Sequence, residues 1–156
     1  MYKKIMVPLD GSELAECVLS HVQAIASGCR VPSVELVRVV EPIQLPTRGG
    51  IALSANDLKR VKAEMKGEAE NYLEKITARL KGAGLHVQTK LLEGKAAEQL
   101  VEHARSSKAD LLIMASHGAS GVTRWVWGSV TDRILRSSSV PVLLIRAPGC
   151  APGKAE

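Results

Sequence analysis

Apolar residues in this chain gather in short unbroken runs, and these alternate with longer stretches where they recur every three or four positions. Lys4 to Leu9 is the first such run. It is closed by Asp10-Gly11-Ser12 and predicts a buried strand that ends in a loop. From Ser12 onward Leu14, Val18, Val22, Ile25 and Ala26 fall at helical intervals up to Gly28, predicting one helix. Val34 to Val40 predicts a second strand, stopped by Glu41-Pro42, and residues 43–54 predict an irregular loop carrying Pro46, Gly49 and Gly50.

Asp57 to Leu80 predicts a long amphipathic helix, with Leu58, Val61, Met65, Ala69, Tyr72, Leu73, Ile76 and Leu80 on one face and Gly82 and Gly84 beyond its end. His86 to Leu92 predicts the third strand and Ala96 to Ser106 the next helix, whose buried face holds Ala97, Leu100, Val101 and Ala104. Leu111 to Ala115 is the fourth strand. A loop from Ser116 leads to a helix over Ser129 to Arg136, and Val140 to Ile145 is the fifth strand. The last ten residues, from Ala147, hold two Pro and two Gly and read as a frayed tail, leaving residues 1–146 as one domain.

Strands alternating with helices imply right-handed crossovers and a parallel sheet. The expected class is therefore α/β, a doubly wound, five-stranded, Rossmann-like sheet. Composition agrees. With no Phe, two Trp and two Tyr, the core must be built from Val, Leu, Ile and Ala, which suits strands covered on both faces. At 156 residues the chain can bury one adequate core.

The charge of +5 raises the question of nucleic acid. The basic residues, however, are dispersed among acids, and Arg60/Glu64 and Lys66/Glu70 stand four apart as on a solvated helix face, so a nucleic-acid partner is not expected. No apolar run approaches the roughly 20 residues that span a bilayer. Nothing near the N-terminus resembles an export signal, so a cytoplasmic location is the expectation. Cys17, Cys29 and Cys150 lack metal-type spacing; on one continuous helix the first two would lie about 18 Å apart, and reduced thiols are expected.

Ligands of open parallel sheets bind at the carboxyl ends of the strands, where the strand order reverses. For an order 3-2-1-4-5 the reversal lies between the first and fourth strands. It singles out Pro8-Leu9-Asp10-Gly11-Ser12 and the segment after Ala115. The latter, Ser116-His117-Gly118-Ala119-Ser120-Gly121 and on to Gly128-Ser129-Val130-Thr131, is rich in small residues and runs into a helix. Small residues let backbone N–H groups approach an anion, and a helix N-terminus supplies unpaired donors with a partial positive charge. Phosphate binding follows naturally; a Gly-rich turn capped by Ser129 is the alternative at this stage.

Met114-Ala115-Ser116-His117-Gly118, nine residues, then Gly128-Ser129 resembles the Gly-x2-Gly-x9-Gly-Ser/Thr nucleotide motif of the universal stress protein family. Three further stretches are similar to that family in the same order: Ile5 to Ser12, Glu93-Gly94-Lys95-Ala96-Ala97, and Ser139 to Ile145. The resemblance covers residues 1–146 and implies a 3-2-1-4-5 sheet of the adenine-nucleotide alpha-hydrolase-like type. It implies that Pro8, Asp10 and Val39 meet adenine and ribose, and that Gly118, Gly128, Ser129 and Val130 hold the phosphates, with Ala115 and His117 inside the motif. The implied ligand is ATP, or AMP or ADP, with Mg as an accompanying ion that no residue here specifies. The implied partner is a second copy of the chain, docked through Val140 to Ile145. Ala115 replaces the first Gly of the motif. Its methyl group tolerates an extended or helical backbone but not a left-handed one, and an extended one is expected at a strand end.

Competing chemistry is poorly supported. His117 has no ligand cluster around it in sequence. Asp10, His117 and Ser129 are the residue types of a hydrolase triad, yet Ser129 lacks the Gly-x-Ser-x-Gly elbow. Neither Gly-x4-Gly-Lys-Ser/Thr nor Gly-x-Gly-x-x-Gly is present where it would be needed, and a phosphorelay receiver would require clustered acids where Asp10 stands alone. Trp125 and Trp127, just before Gly128, flank the ligand or pack at a dimer surface. The expected function is that of a dimeric, nucleotide-dependent regulatory or stress-response module without a dedicated catalytic activity. A nucleotide-free interaction protein with a degenerate pocket, or a slow ATPase, are the alternatives.

Overall fold

The computed structural model describes residues 2–42, 54–116 and 128–146. In chain order the elements are β1 (Lys4–Pro8), α1 (Glu13–Glu16), α2 (Leu19–Gly28), β2 (Ser33–Val40), α3 (Ala55–Gly82), β3 (Val87–Glu93), α4 (Ala96–Ser106), β4 (Leu111–Ala115), α5 (Ser129–Ser137) and β5 (Val142–Ile145). The five strands form one sheet in the order β3-β2-β1-β4-β5, and each pairing is parallel. The expected α/β doubly wound class and its strand order are therefore correct.

Strand alternation explains why both faces are covered. Ile5 and Val7 of β1, Val34 and Leu36 of β2, and Leu111 and Ile113 of β4 point to one face, where Val22 of α2 and Leu73, Ile76 and Leu80 of α3 pack on them. The intervening Met6, Val37, Leu112 and Met114 point to the other face, against Leu100 and Ala104 of α4 and Ile134 of α5. Val and Leu are the commonest strand residues, and the β-branched Val and Ile suit a pleated surface.

The expected single helix after β1 is broken. Ser12 caps α1 by accepting the Ala15 N–H at 3.2 Å. The ladder then tightens: the Cys17 and Val18 amides reach back three residues, at 3.4 and 3.5 Å, before regular spacing resumes with Val22 N–H to the Val18 carbonyl at 2.9 Å. Cys17 and Cys29 consequently lie at helix ends, not on one axis, and both are free thiols. Burial raises the Cys17 pKa, which disfavours the reactive thiolate.

Other boundaries moved by one or two residues. α3 starts before Asp57, because Ser54 accepts the Asp57 N–H at 3.1 Å and so caps the helix two residues earlier. β5 starts after Val140, whose N–H donates to Ser138 Oγ at 3.1 Å, and Pro141 has no N–H to offer a ladder. β1 ends at Pro8 although Leu9 still donates to the Val37 carbonyl at 2.9 Å. Arg60 and Lys66 pair with Glu64 and Glu70, each at 3.9 Å, on the exposed face of α3 as their spacing suggested.

At the end of the sheet opposite the loops after β1 and β4, Glu35 of β2 is a buried charge at 7% exposure. Lys4 Nζ donates to its Oε1 at 2.9 Å, and His103 Nε2 lies 2.8 Å from its Oε2. Removing one member of such a group leaves the others desolvated and unpaired. Glu35→Ala is therefore expected to lower unfolding stability by about 3 kcal/mol, read from the urea midpoint. An unchanged midpoint would show that these contacts do not form.

Candidate functional site

Where β1 leaves the sheet, the chain turns through Leu9, Asp10 and Gly11 into the cap of α1. Asp10 Oδ1 accepts from the Ser12 N–H at 2.9 Å and from Ser12 Oγ at 2.6 Å, an Asx-type turn that fixes the loop. Gly11 has φ +88°, a conformation that favours glycine. A Cβ at that position would also lie 2.9–3.0 Å from the guanidinium of Arg38. Arg38 in turn sits 5.1 Å over the ring of Tyr72, so the loop rests on a cation–π pair rooted in α3. Burial first, and the Glu16 carboxylate next, hold the Tyr72 hydroxyl protonated well above the ordinary tyrosine range.

On the opposite face of the sheet, a cavity of about 410 Å³ opens at the carboxyl ends of the strands. Pro8 and Asp10 line it from the first loop, Val37 and Val39 from β2, Met114 and Ala115 from β4, and Gly128, Ser129, Val130 and Thr131 from the start of α5. Two stretches more than 100 residues apart in sequence, those at Asp10 and Gly128, thus share one wall. His117 and Gly118, with Trp125 and Trp127, lie outside the described residues, as does the tail from Ala147.

Ala115 is the last residue of β4 and pairs with Ile145 of β5. The non-glycine residues with positive φ among those described are Arg30 and Lys108, so Ala115 is extended, as its place at a strand end suggested. Its carbonyl accepts from Thr131 Oγ1 at 3.4 Å, tying the strand end to α5.

The sequence alternative of a turn capped by Ser129 is corrected. Gly128 is the N-cap residue and makes no side-chain cap, and Ser129 is the first helical residue. Gly128 N–H donates to the Ser116 carbonyl at 3.4 Å and its carbonyl accepts from Asp132 N–H at 2.9 Å. The first-turn amides of Ser129, Val130 and Thr131 fall among the donors that a helix leaves without an internal partner.

Val39 supplies a complementary edge. Val37 accepts from Leu9, and amide direction alternates along a strand, so the N–H and C=O of Val39 face the same side, past the point where β1 has turned away. A donor and an acceptor side by side on an extended backbone match a planar heterocycle carrying the reverse pair. The arrangement is an apolar slot with a polar edge, a carboxylate at Asp10, and a positive helix end.

Residues that the sequence did not single out for the site also line the cavity, among them Glu41 and, from α4, Leu100, together with Ala96, which the sequence had noted only as part of a family-like stretch. Strand alternation, continued past Val37 and Val39, could have pointed to Glu41, just past the end of β2. The α4 residues depended on how α4 packs. Among the described residues no group of three or more potential metal ligands occurs, and no helix is long and apolar enough to cross a membrane.

The cavity lies at the reversal of strand order, the place where ligands bind in open α/β sheets. A profile of the Universal stress protein family matches residues 1–146. Universal stress protein MJ0531 of Methanocaldococcus jannaschii is 32% identical over 150 residues, 95% of this chain and 84% of that one. The solved structure of MJ0577 from the same organism, itself a universal stress protein, superposes with a TM-score of 0.78 at 30% identity, covering 94% of this chain and 96% of that one. A universal stress protein in complex with cAMP, at 22% identity and TM-score 0.68 over 94% of this chain and 98% of that one, shares the fold. So does an Arabidopsis thaliana family member with AMP bound, at 16% and 0.64 over 97% of each chain. The chain belongs to the universal stress protein family.

The contact beneath the first loop is testable. Gly11→Ala is expected to cost about 1–2 kcal/mol from its backbone conformation, with a further loss from displacing Arg38. In a double-mutant cycle with Arg38→Ala, urea unfolding should show that this second part disappears. Strict additivity would mean that Arg38 does not support the loop.

Proposed function

We propose that this protein binds an adenine nucleotide, ATP or its relatives AMP and ADP, in the cavity at the carboxyl ends of β1, β2 and β4. It acts as a nucleotide-dependent regulatory module. The observation that carries this reading is the convergence of Pro8, Asp10, Val39, Ala115, Gly128, Ser129 and Val130 on one cavity wall. In this reading the base edge meets the Val39 backbone, Asp10 accepts from ribose hydroxyls, and the phosphates lie against the first turn of α5. Mg would accompany the phosphates as part of the ligand. The strand conformation of Ala115 is one that a residue with a methyl group adopts without backbone strain, which supports the reading. The AMP- and cAMP-bound relatives indicate the ligand size that this fold accommodates.

Gly128 tests the phosphate end without threatening the fold. Among the described residues a Cβ there would meet the Ser116 carbonyl and Thr131 Oγ1 at an ordinary 3.8 Å, at a position that lines the cavity. Gly128→Val is expected to weaken ATP binding by tenfold or more, about 1.4 kcal/mol, with an unchanged melting temperature, and Asp10→Ala should weaken it as well. Isothermal titration with ATP checks both. Normal binding by Gly128→Val would remove α5 from the site.

The proposed partner is a second copy of the chain, paired across β5. This strand is an edge of the sheet, its four residues are each half-buried, and Leu135 of the adjacent α5 is 41% exposed. An edge strand bearing Val, Leu and Ile needs a cover. Val142→Asp is expected to shift the protein to monomer in analytical ultracentrifugation; a sedimentation coefficient unchanged from the parent would exclude this interface. A cytoplasmic setting completes the reading.

A further inference from the structure

Two helices present their N-termini to the same cavity, and among the described residues only that of α4 carries a capping side chain. α5 starts at Gly128, which carries no side chain to cap it. α4 follows Lys95, which makes no side-chain cap either. A carboxylate from β2's end takes that place instead: Glu41 Oε1 accepts the Ala96 N–H at 2.9 Å across 55 residues of sequence. Glu41 and Ala96 both line the cavity. A carboxylate seated on a helix N-terminus cancels its partial positive charge and turns away a second anion. Glu41 is also shared with a neighbouring cavity of about 360 Å³, so it forms the wall at which the first one ends. Beyond that wall Lys62 is paired with Glu93 at 2.7 Å.

We infer that Glu41 fixes the direction in which a nucleotide lies in this cavity and selects the base, favouring one with an exocyclic amine over one with a carbonyl at the same place. The inference rests on the nucleotide reading above and adds to it a specificity-determining side chain. With α4 neutralised, the phosphates settle against α5 and the base lies toward Glu41. A carboxylate retains acceptor capacity after one hydrogen bond. That capacity suits a base N–H, whereas a carbonyl oxygen in its place sets two acceptors against each other and leaves both unpaired.

Titrating the full chain with ATP, ITP and inorganic tripolyphosphate tests this. ITP carries a carbonyl where adenine has its amine, and a proton on the adjacent ring nitrogen. The role of Glu41 is therefore read from the change in the ratio between parent and variants and not from the parent's preference alone. The parent should prefer ATP, and Glu41→Ala should reduce the ATP-to-ITP affinity ratio by about tenfold while tightening tripolyphosphate by opening the α4 terminus. Glu41→Gln keeps an acceptor for the Ala96 N–H, so it should reduce the ratio without gaining tripolyphosphate affinity. Melting temperatures identify any variant that fails to fold, and Glu41→Gln preserves the cap if Glu41→Ala does not. A ratio unchanged in both variants overturns the role of Glu41. If the parent binds neither nucleotide, the reading under Proposed function fails. The tripolyphosphate comparison then still decides whether Glu41 shields α4: an equal affinity in parent and Glu41→Ala overturns the shielding.

Discussion

The site depends on one mismatch in strand length. β1 stays hydrogen-bonded to β2 only as far as Leu9, whose N–H meets the Val37 carbonyl at 2.9 Å, while β2 continues to Val40 beside β3. The stretch of β2 beyond that point therefore has backbone polar groups facing a gap. Buried backbone groups must find partners, and here the gap is a cavity open to a ligand. A longer β1 would close it with ladder hydrogen bonds. The turn at Asp10-Gly11 enforces the early exit, because Gly11 adopts φ +88° and the Asp10 carboxylate ties itself to Ser12. Arg38 and Tyr72 support that turn from the other face of the sheet.

The two faces of the sheet divide the labour. The face carrying α2 and α3 holds the larger apolar cluster and the prop under the first loop. The face carrying α4 and α5 holds the smaller cluster, with the cavity at its upper end and the buried Glu35, Lys4 and His103 group at its lower end. Strand alternation places Glu35, Val37 and Val39 on this second face, so β2 supplies in succession one member of a part-buried ion pair, a core residue and a cavity wall, and Glu41, just past its end, lines the same cavity. Charge is handled differently at the two ends. Glu35 is enclosed by two basic partners, whereas Glu41 is directed at a helix terminus.

The candidate site is asymmetric in a way that bears on function. Among the described residues its α5 end carries no capping side chain, whereas its α4 end carries a carboxylate. In the proposed reading an anionic group is drawn to the α5 end, and the wall with Val39 lies between the two ends. This polarity suits an elongated molecule with a planar head and a charged tail.

Much of this was legible in the residues themselves. The alternation of apolar runs with three-to-four spacing determined five strands, the helices between them and a parallel sheet, because period is a local property of the chain. The reversal of strand order then pointed to Asp10 and to the segment ending at Gly128. Helix ends were less legible: Ser54 capped α3 earlier than the apolar pattern suggested, and the stretch around Cys17 and Val18 broke a helix whose apolar spacing ran straight through. Only the tertiary structure decided that Arg38 would lie beneath Gly11, that Glu41 would cap α4 from 55 residues away, and that α4 would line the cavity. These contacts join segments whose separation leaves no periodic trace. They come into being when helices dock on a twisted sheet at positions set by packing, and no local pattern of residues encodes that distance.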